Sequence, residues 1–481
     1  MKPLRLIAAC CLPLWLASCA LTSPPAAVSA NAPPQWHAPL PHQGSLTGLA
    51  QWWEQQGDPL LVELISAAQA VSPSVASARS RIEQSRAARV AAGAALLPSL
   101  DASASASRGR SQPITGPGAA PISTTTQTGL QAAWEIDVFG GNRASRNAAG
   151  ERLAGAEALW HDARVSVAAE VANQYYALRT CQLLAAVTRS DAGSRQETAR
   201  LSGLSTRAGF TAPATDALAR ASAAEASARA TQQAAQCELD VKALVALTGL
   251  AEPDIRQKVL AAPVLSAPTA IHFVARVPAE ALAQRPDVFN AEREVAAASA
   301  DVGSAQAERY PRLSLSGSIG NTRVRAGGVT SSLDTWSIGP LALTVPLFDG
   351  GRRAADVDAA RARYEEAAAL YRARVRQAVR EVEEALVTLE STAARSEDAQ
   401  TAVAGYRSSF TGTEARYRNG LASLVELEDA RRTLLSAEIT LASLQRERLA
   451  AGVGLYRAMG GGWTPGLGGP GADASTAQAG R

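Results

Sequence analysis

The sequence predicts a mainly α-helical chain with a small β-barrel part, built from one unit used twice. Three observations lead there. Residues 352–404 contain neither Gly nor Pro and are dominated by good helix formers, so they read as one helix of about 80 Å, too long for an ordinary globular domain. Leu130, Ala132, Trp134, Ile136 and Val138 alternate with Gln131, Ala133, Glu135 and Asp137, which is the period of a strand with one apolar and one polar face. Finally, four motifs recur. Leu97-Pro98-Ser99-Leu100 is echoed by Tyr310-Pro311-Arg312-Leu313, Val138-Phe139-Gly140-Gly141-Asn142-Arg143 by Leu347-Phe348-Asp349-Gly350-Gly351-Arg352, Arg207-Ala208-Gly209-Phe210 by Arg418-Asn419-Gly420-Leu421, and Leu247-Thr248-Gly249 by Ala458-Met459-Gly460. The offsets are 213, 209, 211 and 211 residues, which an internal duplication explains.

In chain order, residues 1–18 carry Lys2 and Arg5, an apolar run through Leu16 and then small residues. This is the pattern of an export signal, and it is too short to span a membrane. Leu16-Ala17-Ser18-Cys19 resembles the bacterial lipobox, which implies cleavage before Cys19 and its acylation; Ala20, where an Asp would favour inner-membrane retention, implies outer-membrane sorting. Residues 19–51, rich in Pro, Ala and Ser, read as an extended tether.

The first repeat covers residues 52–250. Trp52-Trp53 and Asp58-Pro59-Leu60-Leu61 open a helical pattern broken softly at Pro73 and ended by Pro98. Strands are expected at about 99–109 and 126–138, followed by a long helical hairpin turning at Arg207, Ala208, Gly209 and Phe210. Residues 251–278 connect the halves. The second repeat, residues 279–460, has strands at about 313–325 and 333–347, with a bulge at Gly339-Pro340, and a hairpin turning at Arg418, Asn419, Gly420 and Leu421. In its long helix Val357, Tyr364 and Tyr371, then Val375, Val382 and Leu389, form heptad ladders. Gly405 is expected to interrupt it, and Leu427, Leu434 and Leu441 to form the ladder of the returning helix. Residues 461–481 form a Gly-rich tail.

Composition excludes several functions. The formal charge of +3 is spread without long basic runs, so nucleic acid has no electrostatic footprint. His37, His42, His161 and His272 make no metal spacing, and no nucleophile motif is present. The G-x-G-x-x-G match at residues 466–471 follows no strand, so neither catalysis nor an energy source is expected and an active partner is implied. Four strands leave two open sheet edges, and unsatisfied backbone groups in lipid cost several kcal/mol each, so other copies of the chain must close the sheet into a ring.

Cys10 and Cys11 leave with the signal. Cys181 and Cys237 each lie 28 residues from Gly209, which places them at one height in an antiparallel hairpin and predicts a disulfide in an oxidising compartment. The alternative is two thiols facing different ways around their helices.

The lipobox, Trp52-Trp53 with Asp58-Pro59-Leu60, the helix ends at Pro98 and Pro311, Pro346 to Arg352, and Tyr417-Arg418-Asn419-Gly420-Leu421 followed by Leu427-Glu428-Asp429-Ala430-Arg431-Arg432 together resemble the outer-membrane efflux protein family, in its lipoprotein branch. Val71-Ser72-Pro73-Ser74 departs from the family's usual turn. The resemblance implies a homotrimer in which a 12-stranded transmembrane β-barrel, four strands per subunit, continues into a periplasmic α-barrel. It implies an exit duct for drugs or other small toxic compounds, served by a periplasmic adaptor and an inner-membrane transporter, with no cofactor beyond the lipid on Cys19. The two turns become the adaptor-contacting tips. Asp429 and Arg432 match the family's aperture motif and become a polar ring across the pore; the alternative for this pair is a solvated surface ion pair. A duct for protein or metal-ion export, or a structural periplasmic lipoprotein, are the competing readings.

Overall fold

Proline and aspartate set the helix starts. Asp58 accepts from the amides of Leu60 and Leu61 at 3.1 and 3.2 Å, and Pro59 fills a position whose amide would have no partner. The computed structural model describes residues 23–30, 32–33, 36–38, 52–110, 122–262 and 282–465. Its elements run α1 (Trp52–Gln55), α2 (Pro59–Val71), α3 (Pro73–Ala94), β1 (Ser99–Arg110), β2 (Ile122–Ile136), α4 (Gly141–Arg207), α5 (Pro213–Thr248) and α6 (Glu252–Ala261). The second half follows with α7 (Pro286–Ala307), β3 (Arg312–Ala326), β4 (Val329–Thr344), α8 (Arg352–Arg418) and α9 (Leu424–Ala458). The long helices α4 and α8 have 67 residues each, and the returning helices 36 and 35. From α3 and from α7 onward, each half runs helix, two strands, long helix and returning helix.

Two sequence expectations fail here. Gly405 does not interrupt α8, which runs through it to Arg418; a glycine inside a helix costs about 1 kcal/mol, too little to break one held by packing along its length. The ladder of α9 is not Leu427, Leu434 and Leu441. Leu427 is buried but Leu434 and Leu441 are only half-buried; the buried residues of α9 include Leu424, Leu427, Arg431, Leu435, Ala442 and Leu449, so an arginine takes a place in the buried register.

The chain divides into two compact units. The first holds the sheet, of order β1-β2-β3-β4 and antiparallel throughout. Its register sorts side chains cleanly. Leu100 pairs with Ala132, Leu130 with Ile319, Trp134 with Leu315, Ile136 with Leu313, and Ile319 with Trp336, all on one face. Behind them Asp101 pairs with Gln131, Gln131 with Ser318, and Ser318 with Ser337. Ile338 and Leu341 stand three residues apart, a spacing that would send them to opposite faces of a regular strand. Because Ile338 pairs with Gly317 and Leu341 with Leu315, Gly339 and Pro340 together oppose Ser316, and this bulge keeps Trp336, Ile338, Leu341 and Leu343 on the apolar face. Among the described residues neither face is covered: β1 is exposed along its whole length, and β2, β3 and β4 contain only exposed and half-buried positions.

Strand-to-helix corners are built alike in both repeats. Asp137 accepts from the amides of Asn142 and Arg143 at 3.1 and 2.9 Å, and Asp349 from those of Gly351 and Arg353 at 3.0 and 3.2 Å, so a carboxylate faces the N-terminus of each long helix. Within the same unit, part of the expected tether is docked. Ser299 Oγ donates to the carbonyl of Pro24 at 2.5 Å and the Tyr364 hydroxyl to that of Pro25 at 2.9 Å.

The second unit holds the main core. Trp52, Trp53 and Tyr456 cluster with ring centroids 4.4 to 5.0 Å apart, beside Leu61, Leu64, Tyr175, Leu178 and Leu455. Trp36 and Ala38 join this core, and the amides of His37 and Ala38 donate to the Glu383 carboxylate at 2.7 and 2.8 Å. The Tyr175 hydroxyl donates to Asp58 at 2.6 Å; burial, then this bond, pushes the phenol well above its ordinary range.

Candidate functional site: the helical turns and the polar cluster beside them

Both hairpin turns end their long helices in one way. Gly209 and Gly420 adopt positive φ (79° and 74°), and the next amide, of Phe210 or Leu421, reaches back to the carbonyl of Ser205 or Arg416 at 2.9 or 2.8 Å. This is the hydrogen bond that closes a helix over a left-handed residue, and it explains the glycine at each turn. Pro213 then starts α5, while Ser423 and Glu426 start α9 with a reciprocal capping box. The turns leave Phe210 87% and Leu421 70% exposed, so each presents an apolar side chain that its own chain does not cover. Arg207, Ala208, Arg418 and Asn419 flank them and are also exposed.

Two acid–base pairs sit side by side at the start of α9. Asp429 and Arg432 pair with each other, with side chains 65% and 75% exposed. They lie on the same stripe as exposed Val425 and Ser436. Glu428 and Arg431 also pair, at 2.8 Å, but their side chains are only 14% and 6% exposed. The Glu428 carboxylate further accepts from Arg195 of α4 and, at 2.6 Å, from Ser222 of α5. Arg195 is held against Asp191 at 2.9 and 3.0 Å, and Arg431 donates to Ser194 at 2.9 Å and Thr198 at 3.2 Å. Phe410 of α8 lies beneath the Arg431 guanidinium, 5.5 Å from its centre. A small core of Ala219, Leu424 and Leu427, with Ala199, Phe410 and Tyr417 against it, continues the contact. Two hairpins from different repeats are therefore joined near their turns by a buried ionic cluster.

The structure brings Asp429 and Arg432 together, and places Phe210 and Leu421 on equivalent turns. Sequence reading met Glu428 and Arg431 only as part of the quoted motif, with no role, and missed Asp191, Arg195 and Ser222. The signal lay in the doublets Glu428-Asp429 and Arg431-Arg432, which hold two i, i+3 pairs; the phase of Leu424, Leu427 and Leu435 decides which one faces in. In the first-repeat hairpin, Cys181 of α4 and Cys237 of α5 are joined by a disulfide with Cα atoms 5.5 Å apart. Cys19 lies outside the described residues. Among the described residues no group of three or more His, Cys, Asp and Glu is placed to hold a metal ion, and no single helix is long and apolar enough to cross a membrane.

Comparison with known proteins agrees with this geometry. The model of the outer membrane efflux protein family matches residues 64–250 and 277–461, one match for each repeat. The pyoverdine export outer membrane protein OpmQ of Pseudomonas aeruginosa is 31% identical over 473 residues, covering 96% of this chain and 97% of the relative. The toluene efflux pump outer membrane protein TtgI of Pseudomonas putida is 30% identical over 413 residues, covering 85% of this chain and 86% of the relative. The solved outer-membrane channel OprN superposes with a TM-score of 0.82 at 28% identity, covering 92% of this chain and 99% of that one. A duplicated chain of long helical hairpins joined to an amphipathic four-stranded sheet defines an outer-membrane channel subunit. The chain belongs to the outer membrane efflux protein family.

Proposed function

We propose that three copies of this chain form a duct through the outer membrane that passively conducts drugs or other small toxic compounds out of the cell. The observation that carries the trimer is the sheet: among the described residues both edges are open, one face is apolar and the other polar, and no strand is fully buried. Three sheets closed edge to edge give 12 strands, with the apolar face against lipid and the Ser/Gln face lining water. From Leu313 to Ile319 that apolar band spans about 20 Å at 3.3 Å per residue, on the scale of a membrane barrel's outer band.

In this reading the two turns, with Phe210 and Leu421 at their ends, meet a periplasmic adaptor, and an inner-membrane transporter supplies the energy. The chain itself performs no reaction. Asp429 and Arg432, exposed beside a rigid cluster, form the polar ring at the closed aperture, and Cys19 carries the lipid that anchors the chain. Relatives named for pyoverdine and for toluene support small molecules as the cargo. Conductance of the purified protein in planar bilayers tests the duct: discrete channel events are expected that grow when Asp429 and Arg432 are both replaced by Ala, and a protein that conducts nothing in either form contradicts it.

A further inference from the structure

At the loop end of the sheet the apolar face changes character. Arg108 of β1 pairs with Thr124, and Thr124 with Arg325 of β3; Arg323 pairs with Thr126, and Arg110 with Ile122. Arg108 and Arg110 lie an even number of residues from Leu100, as do Arg323 and Arg325 from Ile319, so all four are on the face that carries Leu130, Ile319 and Trp336. All four are exposed, and among the described residues none of their guanidinium groups has an ion-pair or hydrogen-bond partner. Asp334 is the single acidic side chain of this face among the described residues, and it accepts from Asn321 at 2.7 Å. Directly beneath, Ala102, Ala104, Gly129 and Gly320 leave a shallow depression of about 560 Å³ flanked by Leu130 and Ile319, with Thr128, Asn321 and the Asp334 carboxylate on the side toward the arginines.

We propose that this patch binds a phosphorylated, multiply acylated glycolipid of the outer leaflet, its phosphates on the four arginines and an acyl chain along the depression. The inference rests on the reading that the apolar face meets lipid and the loop end faces outside. Arg108 and Arg325 stand about 10 Å apart across one intervening strand, so guanidinium forks are presented from two strands at the upper border of the hydrocarbon-facing band. Cations there lose part of their hydration, and anionic oxygens that accept bidentate hydrogen bonds replace it. Ala102, Ala104, Leu130 and Ile319 supply the apolar half of the match, while Asn321 satisfies the Asp334 carboxylate at the depression's polar side. Charge and groove together select an amphiphile over a free anion.

The test uses the full-length protein in detergent, with diphosphoryl lipid A and its dephosphorylated form as probes and native mass spectrometry as the readout. The native protein should bind the diphosphoryl form about tenfold more tightly. The Arg108→Gln, Arg110→Gln, Arg323→Gln, Arg325→Gln variant should lose that preference, while Arg361→Gln, Arg363→Gln, Arg376→Gln, Arg380→Gln, at exposed positions of α8, should keep it. Equal binding of the two probes by the native protein, or an unchanged preference in the sheet variant, overturns the proposal. Quenching by brominated acyl chains separates this from failure of the underlying reading. If the fluorescence lost in Trp336→Phe was quenchable, that face meets lipid and a negative result condemns only the glycolipid site. If it was not quenchable, both fall.

Discussion

Arg195 on α4 and Glu428 on α9, 233 residues apart in sequence, form a buried ion pair that ties a helix of the first repeat to one of the second. Breaking a largely buried pair from one side leaves a charge without its partner where little water can replace it. Glu428→Ala leaves Arg195 and Arg431 without their shared carboxylate, so we expect a loss of about 3 kcal/mol, read as a lowered thermal midpoint of the purified protein. Glu428→Gln keeps an acceptor for Ser222 and should lose less. Equal midpoints for Glu428→Ala and the native protein contradict a structural role for the cluster.

The neighbouring pair should behave in the opposite way. Asp429 and Arg432 are solvent-exposed, and an exposed i, i+3 pair contributes well under 1 kcal/mol. Replacing both by Ala should leave the thermal midpoint within error while raising single-channel conductance. A fall in stability with unchanged conductance would reverse the two assignments.

The disulfide closes a loop of 56 residues between α4 and α5. Cys181→Ser with Cys237→Ser should destabilise this hairpin by about 2–4 kcal/mol, detectable as faster proteolysis between the two positions. Peptide mass analysis without reductant should find the linked pair, and free thiols at both positions would remove the basis for the prediction.

Two carboxylates near Arg285 are shifted in opposite directions. Arg285 bonds Asp287 at 3.0 and 2.7 Å, pairs with Glu381 at 2.8 Å and donates to the carbonyl of Ala458 at 2.9 Å. Burial alone would raise the Asp287 carboxyl, but the hydrogen bond and charge of Arg285 hold it below the ordinary range. Its stabilising contribution is therefore present above the unfolded value, near pH 4, and is lost as pH falls through the depressed one. Asp162 is shifted the other way, by burial and then by the charge of Asp287. Its contribution is present at low pH and lost as pH rises through the raised value. Asp162→Asn should accordingly stabilise the protein at pH 7 with the gain fading below about pH 4, and Asp287→Asn should destabilise it at pH 7. Thermal melts across that range check both signs.

Much of the architecture was legible because period and punctuation are local. Alternation around Trp134, the proline at position 98 and the glycines at the turns each act within a few residues, and the duplication made every reading count twice. The extent of α8 was misread at Gly405 because tertiary packing outweighs one residue's propensity. The docked stretch around Pro24 and Pro25 was hidden for a different reason: its hydrogen bonds go to Ser299 and Tyr364, far away in sequence, and no period marks them. The buried cluster was half visible. The doublets at 428–429 and 431–432 gave the pairs, but Asp191, Arg195 and Ser222 come from other helices and are indistinguishable by sequence from ordinary solvated positions.

Everything proposed about conduction depends on the open sheet edges being closed by identical neighbours. Native mass spectrometry of the detergent-solubilised full-length chain measures this directly. A dominant species of three chains that persists on dilution is predicted, dissociating only as the sheet melts. A stable monomer that keeps its full strand content would contradict the account.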